Sequence, residues 1–319
     1  NVAVPEGGVA YVAASGWLAL TLAELGEFDL AQDFLDQERR IAEAGGEAYS
    51  QTIAWTLEGL VCVRRGHLDR ALPLLERALQ AAREKSLTVW QPIPSCVLGL
   101  NLCLLGRASE GLRLLEEGIA LSEDLGVKAY LALWTAQLGE GLLAAGLTER
   151  AGEAAHRALE LALAHKEQGH RAWALRLVGE IAARRDPPEV EKAETACREA
   201  LGLAHELGMR PLLACTHLEL GRLYRRVGNR PEAEDHLSAA ITWLHALDMR
   251  FWFERAEAEL RELGGLFVVP ESNPGLYDHL NRRFFGDDAV TILQDRRRGA
   301  RRQGRVHHQP ERRRGERRR

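Results

Sequence analysis

The chain has 319 residues, of which 46% are hydrophobic and 28% are charged, a composition that supports an extended buried core. No apolar run reaches the roughly 18 residues of a membrane-spanning helix, so the sequence predicts no membrane partner. The first residues, NVAVPEGGVA, lack the basic start of a signal peptide, and a start at Asn1 indicates a fragment or a processed chain.

Charge is distributed unevenly along the chain. Residues 296–319 contain twelve Arg and two Glu, a charge of +10, so the other residues must carry −14 to give the net charge of −4. The five cysteines are odd in number and form no Cys-x-x-Cys motif. We therefore expect all five cysteines to be small apolar core residues, in a protein of a reducing, cytoplasmic compartment.

A constellation of small residues repeats along the chain at a spacing of 40 residues. Glycines recur every 40 residues from Gly26 to Gly146, and Gly228 follows Gly146 after two repeats plus two residues. The column positions are Gly26, Gly66, Gly106, Gly146 and Gly228 for the turn, Ala19, Gly59, Gly99, Gly139, Gly179 and Gly221 for a first helix, and Ala31, Ala71, Gly111, Ala151, Ala193 and Ala233 for a second helix. Such self-similarity is typical of a solenoid of stacked supersecondary units.

Apolar residues within each repeat step by three or four, which predicts helices. The sequence therefore predicts an all-α superhelical solenoid of six antiparallel helix pairs. In chain order, the repeats cover about residues 9–48, 49–88, 89–128, 129–168, 169–210 and 211–249. An amphipathic helix over 250–263 is expected to cap the array. Residues 264–319 are expected to be a linker, with a short helix at LYDHLNRRFF, and a disordered Arg-rich segment.

The repeat columns resemble tetratricopeptide repeats. Repeat six carries the resemblance most clearly, with Leu220, Gly221, Tyr224, Gly228 and Ala233. The 40-residue period is longer than the usual tetratricopeptide unit and is similar to the repeat arms of MalT-like activators and of bacterial proteins that join a cyclase domain, an ATPase domain and a repeat arm. The resemblance covers about residues 9–263 and implies a right-handed superhelix with a concave groove that binds peptides, partner domains or small effectors.

The family pattern places the first helix of each repeat on the concave side. The implied groove has an apolar half at Ile53, Leu60, Val63, Ile93, Leu100 and Cys103, and a basic half at Trp173, Arg176, Arg184, Arg222, Arg225 and Arg226. Arginine clusters bind carboxylates and phosphates through forked hydrogen bonds, so an acidic peptide or anionic effector is one expected ligand. The alternatives are that these arginines are merely solvated and that other helices or another domain cover the apolar half.

Catalytic signatures are absent from the sequence. None of the four lysines follows a glycine as in a phosphate-binding loop, and no Gly-x-Ser-x-Gly or His-Glu-x-x-His motif occurs. We therefore expect a non-catalytic scaffold without cofactor or metal.

The first hypothesis for its function is the sensor or partner-binding arm of a larger bacterial signalling ATPase or nucleotide cyclase, with an upstream domain of the same chain as a further partner. The alternatives are the arm of a MalT-like transcription activator and a protein that associates with nucleic acid through its Arg-rich segment. That segment has no aromatic residue to stack on bases, so only nonspecific nucleic-acid binding is expected of it.

Overall fold

The computed structural model describes residues 8–287 and 289–295. Thirteen consecutive helices are followed by a small strand–helix–strand unit. The elements are α1 Gly8–Leu25, α2 Phe28–Gly45, α3 Ala48–Arg65, α4 Leu68–Glu84, α5 Pro92–Leu104, α6 Ala108–Asp124, α7 Leu131–Ala144, α8 Thr148–His165, α9 Gln168–Arg184, α10 Val190–Leu207, α11 Arg210–Arg226, α12 Arg230–Ala246, α13 Arg250–Leu263, β1 Gly265–Pro270, α14 Pro274–Arg283 and β2 Val290–Asp295. Helices α1–α12 form six pairs, and the predicted solenoid of antiparallel helix pairs is confirmed.

The recurring glycines end the first helix of a pair. Gly26, Gly66, Gly106, Gly146 and Gly228 all have φ between 76° and 85°. Residues with a side chain rarely adopt this left-handed conformation, whereas glycine adopts it at little cost. The glycine column therefore sets the position of each turn between paired helices.

Small residues allow the two helices of a pair to approach closely. A methyl group on Gly99 of α5 would lie 2.7 Å from the carbonyl oxygen of Gly111 in α6. In the sixth pair, a methyl group on Gly221 would lie 2.7 Å from Leu237 Cδ2. Both distances are shorter than a van der Waals contact, so a larger residue would force the helices apart.

The first helix of a pair, here called the inner helix, is buried on more sides than the second, or outer, helix. In α3, every residue from Thr52 to Val63 is buried, whereas α4 buries only one side. The first helices pack against one another as well as against their partners, so they lie at the centre of the array. None of the described helices combines the length with the apolar character that crossing a membrane requires.

The linker prediction is wrong for residues 265–295. Strands β1 and β2 are parallel, with Gly265 opposite Val290 and Pro270 opposite Asp295, and α14 connects them. Phe267 and Ile292 are buried. Each strand has only six residues, the residues between them are typical of a linker, and β1 is a short apolar run without alternation, so the sequence pattern does not predict the two strands. The short helix predicted at LYDHLNRRFF lies within and just beyond α14, while the Arg-rich segment 296–319 lies outside the described residues.

The first and last repeats touch each other. The Arg210 side chain at the start of α11 donates from Nε to the carbonyl oxygen of Leu25 at 2.7 Å and forms an ion pair with Glu27 at 2.7 Å. A second contact of this kind joins repeats two and six, where Arg65 Nη2 at the end of α3 lies 3.2 Å from Asp248 Oδ2, just after α12. The superhelix therefore closes one turn within the chain, and the inner faces of distant repeats meet.

Candidate binding site in the interior of the superhelix

Contacts between repeats one, two and five close the inner face. The indole Nε1 of Trp173 donates to Glu24 Oε2 at 2.8 Å, and Arg64 Nη2 lies 2.7 Å from Glu24 Oε1. The Arg64 guanidinium also lies 4.0 Å above the Trp173 ring. These three side chains come from α1, α3 and α9, so they bridge the interior where an open groove was expected.

An aromatic cluster fills the interior next to this bridge. Trp17 of repeat one stacks on Tyr130 of repeat four, with ring centroids 4.8 Å apart and planes at 9°. Trp90 approaches Trp17 edge-on at 6.2 Å, and Trp134 lies 5.9 Å from Tyr130. Offset stacking and edge contacts are favourable arrangements of aromatic rings. This cluster therefore joins the inner faces of repeats one, three and four.

The predicted apolar half of the groove is not open. Cys103 illustrates the reason: its Sγ lies between α5 and its neighbours, close to where methyl groups on Gly111 and Gly141 would be. The exposed fraction is 5% or less for Ile53, Leu60, Val63, Leu100 and Cys103, and Ile93 is partly buried. Assigning these residues to a peptide-binding surface was wrong because the helices pack on both sides of α3 and α5. The sequence analysis allowed this half to be covered either by other helices or by another domain, and the structure shows that neighbouring helices cover it.

Two of the predicted basic residues form a buried ion-pair network with glutamates. Arg176 is 1% exposed and donates from Nη1 to Glu180 Oε2 at 2.7 Å, while its Nη2 pairs with Glu140. Arg184 Nη2 donates to Glu180 Oε1 at 2.5 Å. Burial disfavours the charge on Glu180, but Arg184 and Arg176 outweigh this effect and lower the pKa of Glu180 to about 2. The network is therefore ionised and its charges are paired within the chain, although the buried Nε of Arg176 has no hydrogen-bond partner among the described residues.

Arg222 and Arg225 are likewise paired. Arg222 donates to Glu219 at 2.9 Å and to Glu259 at 2.8 Å, and Arg225 Nε donates to Glu259 at 2.8 Å. Arg226 donates to the carbonyl oxygen of Ala183 at 2.8 Å. The three arginines proposed from sequence as a free anion site thus already contact acceptors of the same chain.

Arg255 of α13 differs from these arginines. Among the described residues, no carboxylate forms an ion pair with its guanidinium, which instead lies 4.1 Å from the centroid of the Phe251 ring. It lines a cavity of about 40 Å³ together with Arg184, Trp252 and the buried network. Burial and the nearby charge of Arg222 lower the pKa of Arg255, and the charges of Glu180 and Glu219 offset this only in part. Sequence reasoning missed this residue, although an Arg three and four residues after Trp252 and Phe251, on the apolar side of a capping helix, was a usable signal.

A larger cavity lies at the C-terminal end of the array. It has a volume of about 490 Å³ and is lined by residues of α12, α13 and α14, including Phe253, Glu257 and His279. His279 Nε2 and Glu257 Oε1 are hydrogen-bonded at 2.9 Å. Within residues 8–287 and 289–295, no group of three or more His, Cys, Asp or Glu side chains is arranged to hold a metal ion.

Comparison with known proteins identifies the fold. No protein-family model matches the chain. No curated protein sequence matches it either. Among solved structures, a Rap protein complexed with Competence and Sporulation Factor matches with a TM-score of 0.58 and 15% identity, over 80% of this chain and 76% of the Rap chain.

Two further structures match less well. The STAND protein with a tetratricopeptide repeat sensor from Pyrococcus horikoshii has a TM-score of 0.45 and 18% identity, over 78% of this chain, which spans 38% of the length of the STAND protein. BtubC from P. vanneervenii has a TM-score of 0.44 and 18% identity, over 78% of this chain and 93% of BtubC. The fold of the array is that of a tetratricopeptide-type helical-repeat protein.

Proposed function

We propose that the protein is a non-catalytic interaction scaffold that binds an acidic group of a partner protein or peptide at Arg255. The observation that carries this proposal is the unequal pairing of the interior arginines. Arg176, Arg184, Arg222 and Arg225 each form an ion pair with a glutamate of the chain, whereas Arg255 forms none among the described residues.

The energetics of a partly buried charge support an anionic ligand. A guanidinium that is removed from water without a hydrogen-bonded carboxylate costs free energy, and a carboxylate that binds it offsets this cost through charge-assisted hydrogen bonds. Glu180 and Glu219 act on Arg255 through their charge but form no ion pair with it. The cavity at Arg255 measures about 40 Å³. One water needs about 10–15 Å³ of such volume, so this cavity admits a carboxylate but not a peptide backbone. The partner would therefore insert one acidic side chain or a C-terminal carboxylate.

The neighbouring Arg184 lines the same cavity and also reaches solvent. The Arg184 side chain is 40% exposed and keeps only part of its hydrogen-bonding capacity for Glu180. An incoming carboxylate would contact Arg255 inside the cavity and Arg184 at its edge. The Rap protein of similar fold was solved in complex with a factor, which supports a binding role for an array of this kind.

The wider setting is part of the proposal. The resemblance of the long repeats to arms of signalling proteins favours a sensor or partner arm of a larger bacterial ATPase or cyclase, and the MalT-like activator arm is the alternative. The five cysteines are all buried free thiols, which supports a reducing, cytoplasmic compartment. Sequencing the gene region separates the two settings: an upstream cyclase or ATPase domain supports the first, and a downstream helix-turn-helix supports the second.

Substitution of two arginines of α13 tests the anion site. A fluorescein-labelled triglutamate peptide is titrated into the wild-type protein, Arg255→Gln and Arg250→Gln at physiological salt. Arg250 is the matched control because it lies on the same helix, is 78% exposed and pairs with Glu254. We expect affinity to fall about tenfold or more for Arg255→Gln, the loss of one charge-assisted interaction, and to stay unchanged for Arg250→Gln.

The Arg-rich segment 296–319 is present in all three proteins, so nonspecific binding through it contributes equally to each titration. Comparing this peptide with a triglutamate peptide that has a C-terminal amide in place of the carboxylate shows whether the site prefers a C-terminal or a side-chain carboxylate. Equal affinities of wild type and Arg255→Gln would overturn the proposal.

A further inference from the structure

The cavity between α12, α13 and α14, here called the C-terminal cavity, is separate from the anion site. The residues of α13 that line it are spaced as one face of a helix: Arg250, Phe253, Glu254 and Glu257. Arg255 lies two positions from both Phe253 and Glu257, so it belongs to another face and lines the other cavity. At about 490 Å³, the C-terminal cavity has the size of a small-molecule site.

A buried carboxylate faces the C-terminal cavity. Glu257 lines the cavity and is only 5% exposed. Its Oε1 accepts a hydrogen bond from His279 Nε2 at 2.9 Å. Its Oε2 lies 3.7 Å from Arg283 Nε, which is too far for a hydrogen bond. One oxygen of this carboxylate therefore accepts no hydrogen bond from the described residues.

The guanidinium of Arg283 is the positive counterpart of this carboxylate. Arg283 lies on α14, lines the cavity and is 55% exposed. Among the described residues, Glu257 is the one carboxylate within ion-pair distance of it. Glu257 and Arg283 are thus neighbours of opposite charge that are not hydrogen-bonded to each other. Both keep hydrogen-bonding capacity for a ligand.

The other charged groups of the C-terminal cavity are already paired. Arg250 Nε lies 2.9 Å from Glu254 Oε1, and Asp248 Oδ2 lies 3.2 Å from Arg65 Nη2 of repeat two. Burial lowers the pKa of His245, so this side chain adds no charge at neutral pH. A ligand of the cavity therefore meets one pair of opposite charges with hydrogen bonds still to make.

The rest of the lining is aromatic or aliphatic. The Phe253 ring centroid lies 5.1 Å from that of His279 and 5.6 Å from that of His245, with the ring planes at 68° and 54°. Leu244 and Met249 also line the cavity and are fully buried. Such a lining favours an apolar group in the ligand.

We propose that the C-terminal cavity binds a free amino acid with a large apolar side chain. The ammonium group of the ligand donates to Glu257, the carboxylate accepts from Arg283, and the apolar side chain packs on Phe253. Since Glu257 belongs to α13 and Arg283 to α14, the ligand bridges the helical array and the β1–α14–β2 unit.

Charge balance favours a zwitterion over a simple ion. A cation alone would take Glu257 away from Arg283 and leave that guanidinium without its counter-charge. An anion alone would lie against the buried carboxylate of Glu257. An amino acid carries both charges, so the cavity stays neutral and gains charge-assisted hydrogen bonds that the Glu257–Arg283 pair lacks.

Calorimetric titration of the full chain tests the ligand class. L-phenylalanine, L-leucine and L-methionine are each titrated at neutral pH up to about 10 mM, and we expect at least one to bind with a Kd of about 1 mM or tighter. The tightest binder is then compared with the amine that lacks its carboxylate and the acid that lacks its ammonium group. For L-phenylalanine these are phenethylamine and 3-phenylpropionate. Each analogue should bind about tenfold or more weakly than the amino acid.

Substitutions on the two helices test the site. Arg283→Gln and Glu257→Gln should each weaken binding of the amino acid about tenfold or more. Arg282→Gln is the matched control, because Arg282 is the preceding residue of α14, is exposed and does not line the cavity. It should leave the affinity unchanged. Arg283 is more than half exposed, so Arg283→Gln tests the site even if Glu257→Gln, at a buried position, impairs folding.

Three results would contradict this assignment. The first is the absence of saturable binding for all three amino acids. The second is an amine or an acid that binds as tightly as the amino acid, because the site would then recognise one charge only. The third is an unchanged affinity of Arg283→Gln, because the ligand would then lie elsewhere.

Discussion

Trp173 of repeat five donates its indole N–H to the carboxylate of Glu24 in repeat one at 2.8 Å, across 149 positions of the sequence. Arg64 of repeat two completes the contact by pairing with Glu24 and stacking on Trp173. A hydrogen bond to a charged acceptor contributes about 1.5–3 kcal/mol when it is removed from water. The interior of the superhelix is therefore held closed by specific polar contacts as well as by packing.

Glu38 is expected to make stability depend on pH. It is fully buried, neither carboxylate oxygen has a hydrogen-bond partner among the described residues, and burial together with the charge of Glu58 raises its pKa to about 8. The folded state therefore retains a proton that the unfolded state, with a pKa near 4.5, releases. Stability from this group is present below pH 4.5 and is lost as pH rises to 8, by roughly 1.4 kcal/mol per pH unit.

Replacing Glu38 by Ala should remove this dependence. The other five repeats carry a small residue in the same column: Ala78, Gly118, Ala158, Ala200 and Ala240. Urea unfolding at pH 5 and pH 8 measures the free energy of unfolding of both proteins. We expect the gain from Glu38→Ala to be at least about 2 kcal/mol larger at pH 8 than at pH 5. The same gain at both pH values would show that Glu38 is not buried as described.

Two glycines with opposite surroundings test the helix-pair packing. A methyl group on Gly99 would lie 2.7 Å from the Gly111 carbonyl oxygen and 2.9 Å from the Leu115 nitrogen, both of which are backbone atoms. Gly99→Ala should therefore cost about 2–3 kcal/mol, as helices α5 and α6 separate. Gly202 in α10 has no atom within 4 Å of such a methyl group, so Gly202→Ala should stabilise the helix by up to about 1 kcal/mol. Thermal unfolding measures both, and a loss of similar size at the two sites would refute close packing at Gly99.

Because Arg176 is part of the buried network, its substitution should lower the free energy of unfolding far more than substitution of an exposed arginine. Arg176→Met leaves Glu140 without its ion pair and weakens the pairing of Glu180, which should cost about 3 kcal/mol or more. Arg198, which is 64% exposed and pairs with Glu194, is the control, and Arg198→Met should cause no measurable loss. Urea unfolding compares the two variants. If Arg176→Met were as mild as the control, the network would be solvated.

The sequence predicts the repeat fold well because its strongest constraints are local. Turn glycines such as Gly66 need a left-handed backbone, and helix contacts such as Gly221 against Leu237 need small residues, so both recur in a fixed column. Curvature of the array is a sum of small angles at every interface, and no single column encodes it. The contact between Trp173 and Glu24 was therefore not predictable from the repeat pattern.

The predicted site failed for the same reason. Arg222 and Arg176 are basic residues on an inner face, and each pairs with one glutamate of its own helix and with one from another helix. A sequence shows the arginines and the glutamates without showing which of them meet. Arg255 became a candidate only when the pairs were known, because what distinguishes it is the lack of a partner among the described residues.

A double-mutant cycle on Glu24 and Trp173 tests the closed interior most directly. The free energy of unfolding is measured for the wild type, Glu24→Ala, Trp173→Phe and the double variant. Contact across the interior predicts a coupling energy of about 1 kcal/mol or more between the two positions. Additive effects, with a coupling energy of zero within error, would contradict the account, because repeats one and five would then not touch.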